Sequence, residues 1–340
     1  MLLRNRIPSL LTALALVFGS ALYLLYADYQ RFLDTPLAGS AEGWVLDLKP
    51  GMGVGDIVRE LQEQPGLSRP ALYLETHIRL NGLASRLKAG EYAVTPRITP
   101  RGLIEQIAAG RVIQHALSVV EGWTFQQLRQ ALAAHPKIVQ TLREASDAEI
   151  MTRLGRAGDH PEGRFFPDTY HFPTGTTDEA FLRRALAAMD RQLNDAWSRR
   201  APNAPLDGPY QALILASIIE KETGLPEERP AVAGVFARRL QKGMLLQTDP
   251  TVIYGLGDAF DGNLRRKDLV ADTPYNTYTR KGLPPTPIAL PGAASLAAAV
   301  NPAPGNALYF VATGDGGHAF SVTLAEHNQA VRRYQLKRKN

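Results

Sequence analysis

The sequence predicts an α+β protein in two folded parts, carried on an N-terminal transmembrane helix. Three observations predict it. The stretch Ile7–Ala27 near the start of the chain has no formal charge. Beyond it, short segments that alternate like strands are interspersed with segments of helical period. The length of 340 residues also exceeds what one ordinary domain of ~100–200 residues takes.

The uncharged stretch comes first. About 20 apolar residues at ~1.5 Å rise cross a hydrocarbon core of ~30 Å. Arg4 and Arg6 precede the stretch and Asp28 follows it, so the positive-inside rule makes residues 1–6 a cytoplasmic tail and residues 7–27 the span. Tyr23, Tyr26 and Tyr29 are expected at the outer interface as an aromatic belt. A cleaved signal peptide has a shorter apolar core of ~7–15 residues and a small-x-small site, which is not evident here. The expected location is therefore the inner (cytoplasmic) membrane, single-pass, with the folded parts on the extracytoplasmic side. Residues 28–41, broken by Thr35-Pro36 and Gly39-Ser40, read as a polar linker.

Composition narrows the chemistry. Hydrophobic residues make up 45% and charged ones 21%, the balance of a packed globular protein. With no cysteine, disulfides, thiolate metal sites and cysteine nucleophiles are excluded. The net charge of +5 is partly terminal, in Arg4, Arg6, Lys337, Arg338 and Lys339, so no basic stripe for nucleic acid is expected. The seven histidines include no His-Glu-x-x-His pair, so no metal site is expected. Gly51-Met-Gly53-Val-Gly55 lacks the spacing of a nucleotide-binding loop and reads as a glycine-rich turn. Ser85-Arg-Leu-Lys88 matches a Ser-x-x-Lys pattern by chance, since neither Ser-Asp-Asn nor Lys-Thr-Gly accompanies it.

Residues 42–115 read as a small strand–helix–strand module. Trp44–Leu48 alternates, Asp56 opens a helix through Ile57, Val58 and Leu61, and a second helix runs from about Leu72 to Leu80. Gly90–Val94 is a second strand, and Thr99-Pro100 starts a helix that Gly110 ends.

Residues 116–340 carry the chemistry. Thr124 is an N-cap for a helix through Leu128 and Leu132. Glu162 to Pro173 mixes aromatics, prolines and polar groups too densely for a simple helix or strand, and reads as a rigid loop whose rings suit sugar faces. A buried aromatic corner is the alternative. Tyr210–Thr223 is a helix, apolar nearly all round and therefore buried, with Gly224 as its stop. Glu220 and Glu222 fall in its last turn, ~200° apart, so they cannot act as a facing dyad. Glu220 stacks over Ser217, Ala216 and Leu213; an apolar wall and a negative helix end favour a protonated carboxyl, as a general acid requires. Glu222 shares part of that argument. The alternative is that both merely solvate a helix end beside Lys221.

Pro230 begins another helix, ended by Gly243. Three polar-aromatic stretches follow, Leu246–Gly255, Thr273–Tyr278 and Gly282–Ile288, read as loops with amide and hydroxyl groups suited to acetamido sugars. From all these loops the candidate substrate-binding side chains are Glu162, Gln247, Asp249, Tyr254, Tyr275, Asn276 and Tyr278. Ala307–Ala312 and His318–Val322 flank a glycine-rich turn as a hairpin, and Thr323 to Glu326 is a capping box.

At these residues the sequence resembles the membrane-anchored endolytic murein transglycosylases, a family also called MltG or YceG-like. The stretches that carry the resemblance are Glu121-Gly-Trp-Thr-Phe125, Phe166-Pro-Asp-Thr-Tyr170, Ala216-Ser-Ile-Ile-Glu-Lys-Glu222, Gln247-Thr-Asp-Pro-Thr-Val-Ile-Tyr-Gly255, Pro274-Tyr-Asn-Thr-Tyr278 and Gly282-Leu-Pro-Pro-Thr-Pro-Ile288. They occur in the family's order over essentially the whole chain. One small departure is Val120 before Glu121, where proline is expected. The resemblance implies a LysM-like module at 42–115, a YceG-like catalytic domain at 116–340, and the family's catalytic glutamate at Glu220. It implies peptidoglycan glycan strands and the membrane as partners, and admits peptidoglycan synthases.

It also implies a lyase that needs neither metal nor cofactor. Glu220 would protonate the glycosidic oxygen between N-acetylmuramic acid and N-acetylglucosamine. The same carboxylate would then take the proton of the muramic C6 hydroxyl as that oxygen closes on C1, leaving a 1,6-anhydro end. One carboxylate that switches from acid to base suffices, whereas hydrolytic glycosidases use two. Two rival classes are a hydrolytic muramidase, separable by product mass, and a non-catalytic glycan-binding scaffold, against which a glutamate on a buried helix argues.

Overall fold

A computed structural model describes residues 6–37, 42–63 and 71–336. Arg4, most of the cytoplasmic tail, residues 38–41 of the linker and the Lys337–Lys339 cluster lie outside them. The chain forms two compact units, Met1–His115 with His171–Gly175, and Ala116–Tyr170 with Thr176–Asn340.

The first unit contains α1 (Arg6–Asp34), β1 (Trp44–Leu48), α2 (Val54–Glu63), α3 (Ala71–Leu80), β2 (Gly90–Val94) and α4 (Pro100–Ala109). Within α1, Leu11–Asp34 is long and apolar enough to cross a membrane, and none of its most apolar part is buried. The helix does not stop at Ala27. No breaker stands between Asp28 and Asp34, and Thr35-Pro36 is the first sequence that disfavours continuation. The expected linker is thus helical over 28–34.

This last part of α1 belongs to the core of the first unit. Phe32, Leu33 and Leu37 are buried with Ile57, Leu61, Leu74, Ile78 and Ile104. The Tyr29 hydroxyl meets His77 Nδ1 at 3.0 Å, Tyr73 donates to Asp28 at 3.0 Å, and Arg101 reaches Asp34 at 2.9 Å and Gln30 at 2.8 Å. Tyr29 is therefore a packing residue of this unit. β1 and β2 pair antiparallel, Trp44 opposite Val94 and Leu48 opposite Gly90, so that the order is β-α-α-β. Leu46 and Leu48 face the core while Val45 faces solvent, the period of two the sequence shows. Thr99 caps α4 by accepting the Gly102 N–H, and Gly110 closes it in the left-handed conformation.

β3 (His115–Ser118) leads into the second unit. There follow α5 (Phe125–Ala134), β4 (Ile138–Val139), α6 (Asp147–Arg153), β5 (Thr169–Phe172), β6 (Thr176–Thr177), α7 (Asp178–Ser198), α8 (Pro209–Glu222), α9 (Arg229–Gln241) and α10 (Asp249–Leu256). The chain then makes α11 (Arg266–Val270), α12 (Ala293–Val300), β7 (Tyr309–Ala312), β8 (His318–Ser321) and α13 (Leu324–Val331). The Glu162–Pro173 stretch is a loop only as far as Asp168, because Thr169–Phe172 forms β5 with Tyr170 and Phe172 turned inward.

α8 is the centre of this unit. Ala212 to Ile219 are all buried, and α7, α9 and α12 pack around them. A helix apolar on every side needs such a cage, and polar side chains emerge only at its two ends, Tyr210 and Gln211 at the first turn and Glu220 to Glu222 at the last. It ends at Thr223 in an extended conformation, and Gly224 is not in the left-handed region. Ser217, the polar residue in the buried run, donates to the Ile214 carbonyl at 2.7 Å and accepts the Ile288 N–H at 3.0 Å. That bond ties the proline-rich loop 283–288 to the helix. β7 and β8 form the expected antiparallel hairpin, with Ala312 opposite His318.

Candidate active site

The two glutamates at the end of α8 point to opposite sides, as their spacing requires, and meet different surroundings. Glu220 is held by a guanidinium. Its Oε1 accepts from Arg229 Nη2 at 3.1 Å and its Oε2 accepts the Gly292 N–H at 2.9 Å. The side chains of Glu220 and Arg229 are only 5% and 9% exposed, and Glu121 approaches the same guanidinium at 3.5 Å. A Cβ at Gly292 would stand 1.8 Å from Glu121 Oε1, so any larger residue there would displace the Glu121 carboxylate. The loop at Glu121 is tied by the Gly122 N–H to the Leu290 carbonyl at 2.9 Å, and by the Leu290 N–H to the Trp123 carbonyl at 2.7 Å. Glu220 thus joins the ends of α8, α9 and α12 and the 121–123 loop. The apolar wall expected beside it is replaced by a salt bridge.

Glu222 faces a cavity of about 500 Å³, lined among others by Arg239, Gln247, Asp249, Tyr278 and His318. Thr248 donates its hydroxyl to Glu222 Oε1. Thr248 is fixed by Thr277, whose Oγ1 accepts the Thr248 N–H at 3.1 Å, and by Thr251, which donates to the Thr248 carbonyl at 2.8 Å. Burial pushes Glu222 up to about 7 against the Thr248 hydrogen bond; Asp249 adds to the rise, while His318 and Arg239 pull against it. A carboxyl that keeps its proton near neutral pH, on the wall of a polar cavity, is what general acid catalysis asks for.

The candidate binding residues divide. Gln247, Asp249 and Tyr278 line the Glu222 cavity. The Tyr278 hydroxyl donates to Asp249 at 2.5 Å and is pushed up by burial and by that carboxylate. Gln247 is the residue other than glycine with a positive φ, +52°, among those described. Such a conformation costs ~1–3 kcal/mol and recurs where a side chain must be aimed.

Glu162, Tyr254 and Tyr275 instead line a second cavity of about 820 Å³ with Phe125, Lys221 and Ile288. Glu162 accepts the Phe125 N–H at 3.0 Å and the Tyr254 hydroxyl at 3.1 Å, and burial pushes it up to about 7 against these bonds. Tyr254 and Tyr275 meet edge to face at 5.0 Å. Gly163 follows Glu162 with φ +79°, and a Cβ there would stand 2.5 Å from Pro287. Asn276 lines neither cavity. It is 1% exposed, and its amide donates to the carbonyls of Asp268, Leu269 and Ala271 while its oxygen accepts the Tyr278 N–H at 2.9 Å. Both amide hydrogens are spent on backbone carbonyls, so Asn276 serves to hold this loop together.

Glu162 gives a test of its own. Its folded value of about 7 lies above the ordinary 4.5, so the fold favours the neutral form. Its contribution is complete below pH 4.5 and is lost as the pH rises through about 7. Urea unfolding against pH should show that decline in the wild type and a flatter curve in Glu162→Gln. Glu162→Ala, which strands the Phe125 N–H and the Tyr254 hydroxyl, should lose ~1–3 kcal/mol at every pH.

Several residues around Glu222 carry no signal of their own in the sequence. Thr248 and Arg239 sit inside stretches singled out for other residues, and His318 was one of scattered histidines. Arg229, which pairs with Glu220, lies in the next helix.

Known proteins resemble this chain over most of its length. The model of the YceG-like family matches residues 46–333. An endolytic murein transglycosylase of Bacillus subtilis (strain 168) is 30% identical over 324 residues, which cover 90% of this chain and 89% of the relative. One of Streptococcus pneumoniae (serotype 2, strain D39) is 26% identical over 351 residues, covering 90% of this chain and 61% of the relative. Among solved structures, the 2.6 Å crystal structure of a YceG-like protein from Listeria monocytogenes superposes with a TM-score of 0.55 at 30% identity, over 85% of this chain and 99% of that one. With a family model matched over most of its length, this chain belongs to the YceG-like family.

Proposed function

We propose that this protein is a membrane-anchored endolytic murein transglycosylase. It cuts the bond between N-acetylmuramic acid and N-acetylglucosamine inside peptidoglycan strands and leaves a 1,6-anhydro end. The relatives that carry this activity in their names support the reaction class. The single observation that carries the assignment in this chain is Glu222, a half-buried carboxyl that desolvation holds at about 7 on the wall of a polar cavity. We place the general acid there and not at Glu220, whose two oxygens are occupied by Arg229 and Gly292.

In this reading Glu222 gives its proton to the glycosidic oxygen. The bond from that oxygen to muramic C1 breaks, and the C6 oxygen of the same sugar closes on C1 while losing its proton. Tyr278 and Asp249, joined to each other, and the strained Gln247 present hydroxyl, carboxylate and amide groups to the sugar. The β-α-α-β part of the first unit is read as a LysM-like glycan-binding module, and the apolar part of α1 up to Ala27 as the anchor that leaves the folded units on the extracytoplasmic side of the cytoplasmic membrane. Peptidoglycan synthases fit as partners because the tether holds the enzyme where strands are made.

The decisive experiment is digestion of purified peptidoglycan with mass analysis of the fragments. Transglycosylation yields ends lighter by one water than those of a muramidase. Hydrolysed ends alone would replace this reading with the muramidase, and uncut strands with the binding scaffold.

A further inference from the structure

A second acid–base group faces the cavity of the proposed acid. His318, the first residue of β8, lines the same cavity as Glu222. Glu228, the residue before α9, holds it at two points: Oε1 accepts the His318 N–H at 2.8 Å, and Oε2 meets the ring at Nδ1, 2.7 Å away. The two side chains are 11% and 16% exposed, and the Phe310 ring stands edge-on to the imidazole at 5.3 Å. Burial pushes Glu228 up, but the bonds from His318 outweigh it and hold the carboxyl below its ordinary value. An ionised Glu228 can only accept, so Nδ1 carries the hydrogen and a neutral ring presents a lone pair at Nε2. Nε2 has no hydrogen-bond partner among the described residues.

We propose that His318, oriented by Glu228, is the base of the transglycosylation, taking the C6 hydroxyl proton on Nε2. The proposal rests on the reading of Glu222 as the acid. Glu222 gives its proton to the glycosidic oxygen, which leaves C1 with the bonding pair. The C6 oxygen forms the new bond to C1, and its proton goes to Nε2. The enzyme is left with a carboxylate and an imidazolium. One proton passed from ring to carboxylate, directly or through solvent, restores both, and no water is consumed. Acid and base duties thus fall on two groups of one cavity, as in glycosidases with two carboxylates, and Glu222 need not reverse its role within one turnover.

The charged and titratable groups around His318 are Glu228, Glu222, Asp249 and Tyr278, with Arg239 from α9 and Tyr309 and His327 from β7 and α13. Of these, none but the Glu228 carboxylate meets the imidazole within hydrogen-bond reach.

The test is the kinetics of full-length His318→Gln and Glu228→Gln on purified glycan strands across the pH range. His318→Gln, whose amide can still donate to Glu228, should stay folded with a near-wild-type KM and lose ~10²-fold in kcat. Its kcat should also no longer fall on the acid side, because protonation of a base no longer gates the reaction. Glu228→Gln, which still accepts the His318 N–H but no longer fixes Nδ1 as the donor, should fall in between. A kcat within about threefold of wild type, or a loss with an unchanged pH profile, overturns the proposal. Glu222→Gln is the control. If that variant is inactive while His318→Gln is not, the base assignment alone has failed; if it is active, the reading of the acid has failed.

Discussion

Glu222→Gln should leave the protein folded and lower strand cleavage by ~10²–10⁴-fold or more, whereas Glu220→Gln should leave cleavage largely in place and weaken the fold. The amide at position 222 still accepts the Thr248 hydroxyl, but it has no proton to give. It also has no charge to bury. The folded value of about 7 stands above the ordinary 4.5, so the wild type loses stability as the pH rises through about 7, and Glu222→Gln should not share that part of the loss. The same ionisation removes the proton donor, so wild-type cleavage should fall as the pH passes about 7. At Glu220 the change removes the anion from a pair whose side chains are 5% and 9% exposed, leaving Arg229 with Glu121 at 3.5 Å. Breaking a buried pair from one side costs about 3 kcal/mol, which a melting curve reads directly. Cleavage of dye-labelled peptidoglycan and thermal melts of the two variants decide the matter. A folded, inactive Glu220→Gln beside an active Glu222→Gln would return the acid to Glu220.

That choice marks the boundary of what the sequence made legible. Period and capping are local properties, and β1, β2, α4, α5 and α8 stand close to where alternation, Thr99, Thr124 and the apolar run put them. The opposite facing of Glu220 and Glu222 is local too, since it follows from the turn of the helix. Which face holds the acid is not local. It depends on Arg229 in the next helix and on Glu121 from the loop before α5, and neither charge says in the sequence whom it will meet. Asn276 shows the same limit: an amide in a polar-aromatic loop suits a sugar, until three backbone carbonyls are found around it. The extent of α1 was missed for a different reason. Charge marks the end of a membrane span, but a helix ends only where its backbone does, and Asp28 to Asp34 has nothing to stop it before Thr35-Pro36.

That continuity has a large consequence for truncation. Removing residues 1–27 takes away apolar surface that the described structure leaves exposed. Removing residues 1–37 also takes away Phe32, Leu33 and Leu37, at 8%, 0% and 5% exposure, and the partners of His77, Tyr73 and Arg101. At ~1.5–3 kcal/mol for each buried side chain, the loss is roughly 5 kcal/mol or more, enough to unfold a small unit. The shorter truncation should therefore melt like the detergent-solubilised full-length protein, and the longer one should lose the transition of its first unit. Equal melting of the two would show that residues 28–37 are a dispensable linker after all. In the proposed orientation, the segment just outside the membrane is a helix packed on its own domain and not a loose tether, so the first unit is held at the membrane surface where new strands emerge. An exported form lacking residues 1–27 should keep its cleavage of purified strands and lose its effect on strand length in cells, measured by chromatography of isolated glycan. If that form shortened strands as well as the anchored protein at equal abundance, position at the membrane would have no part in choosing the nascent strand.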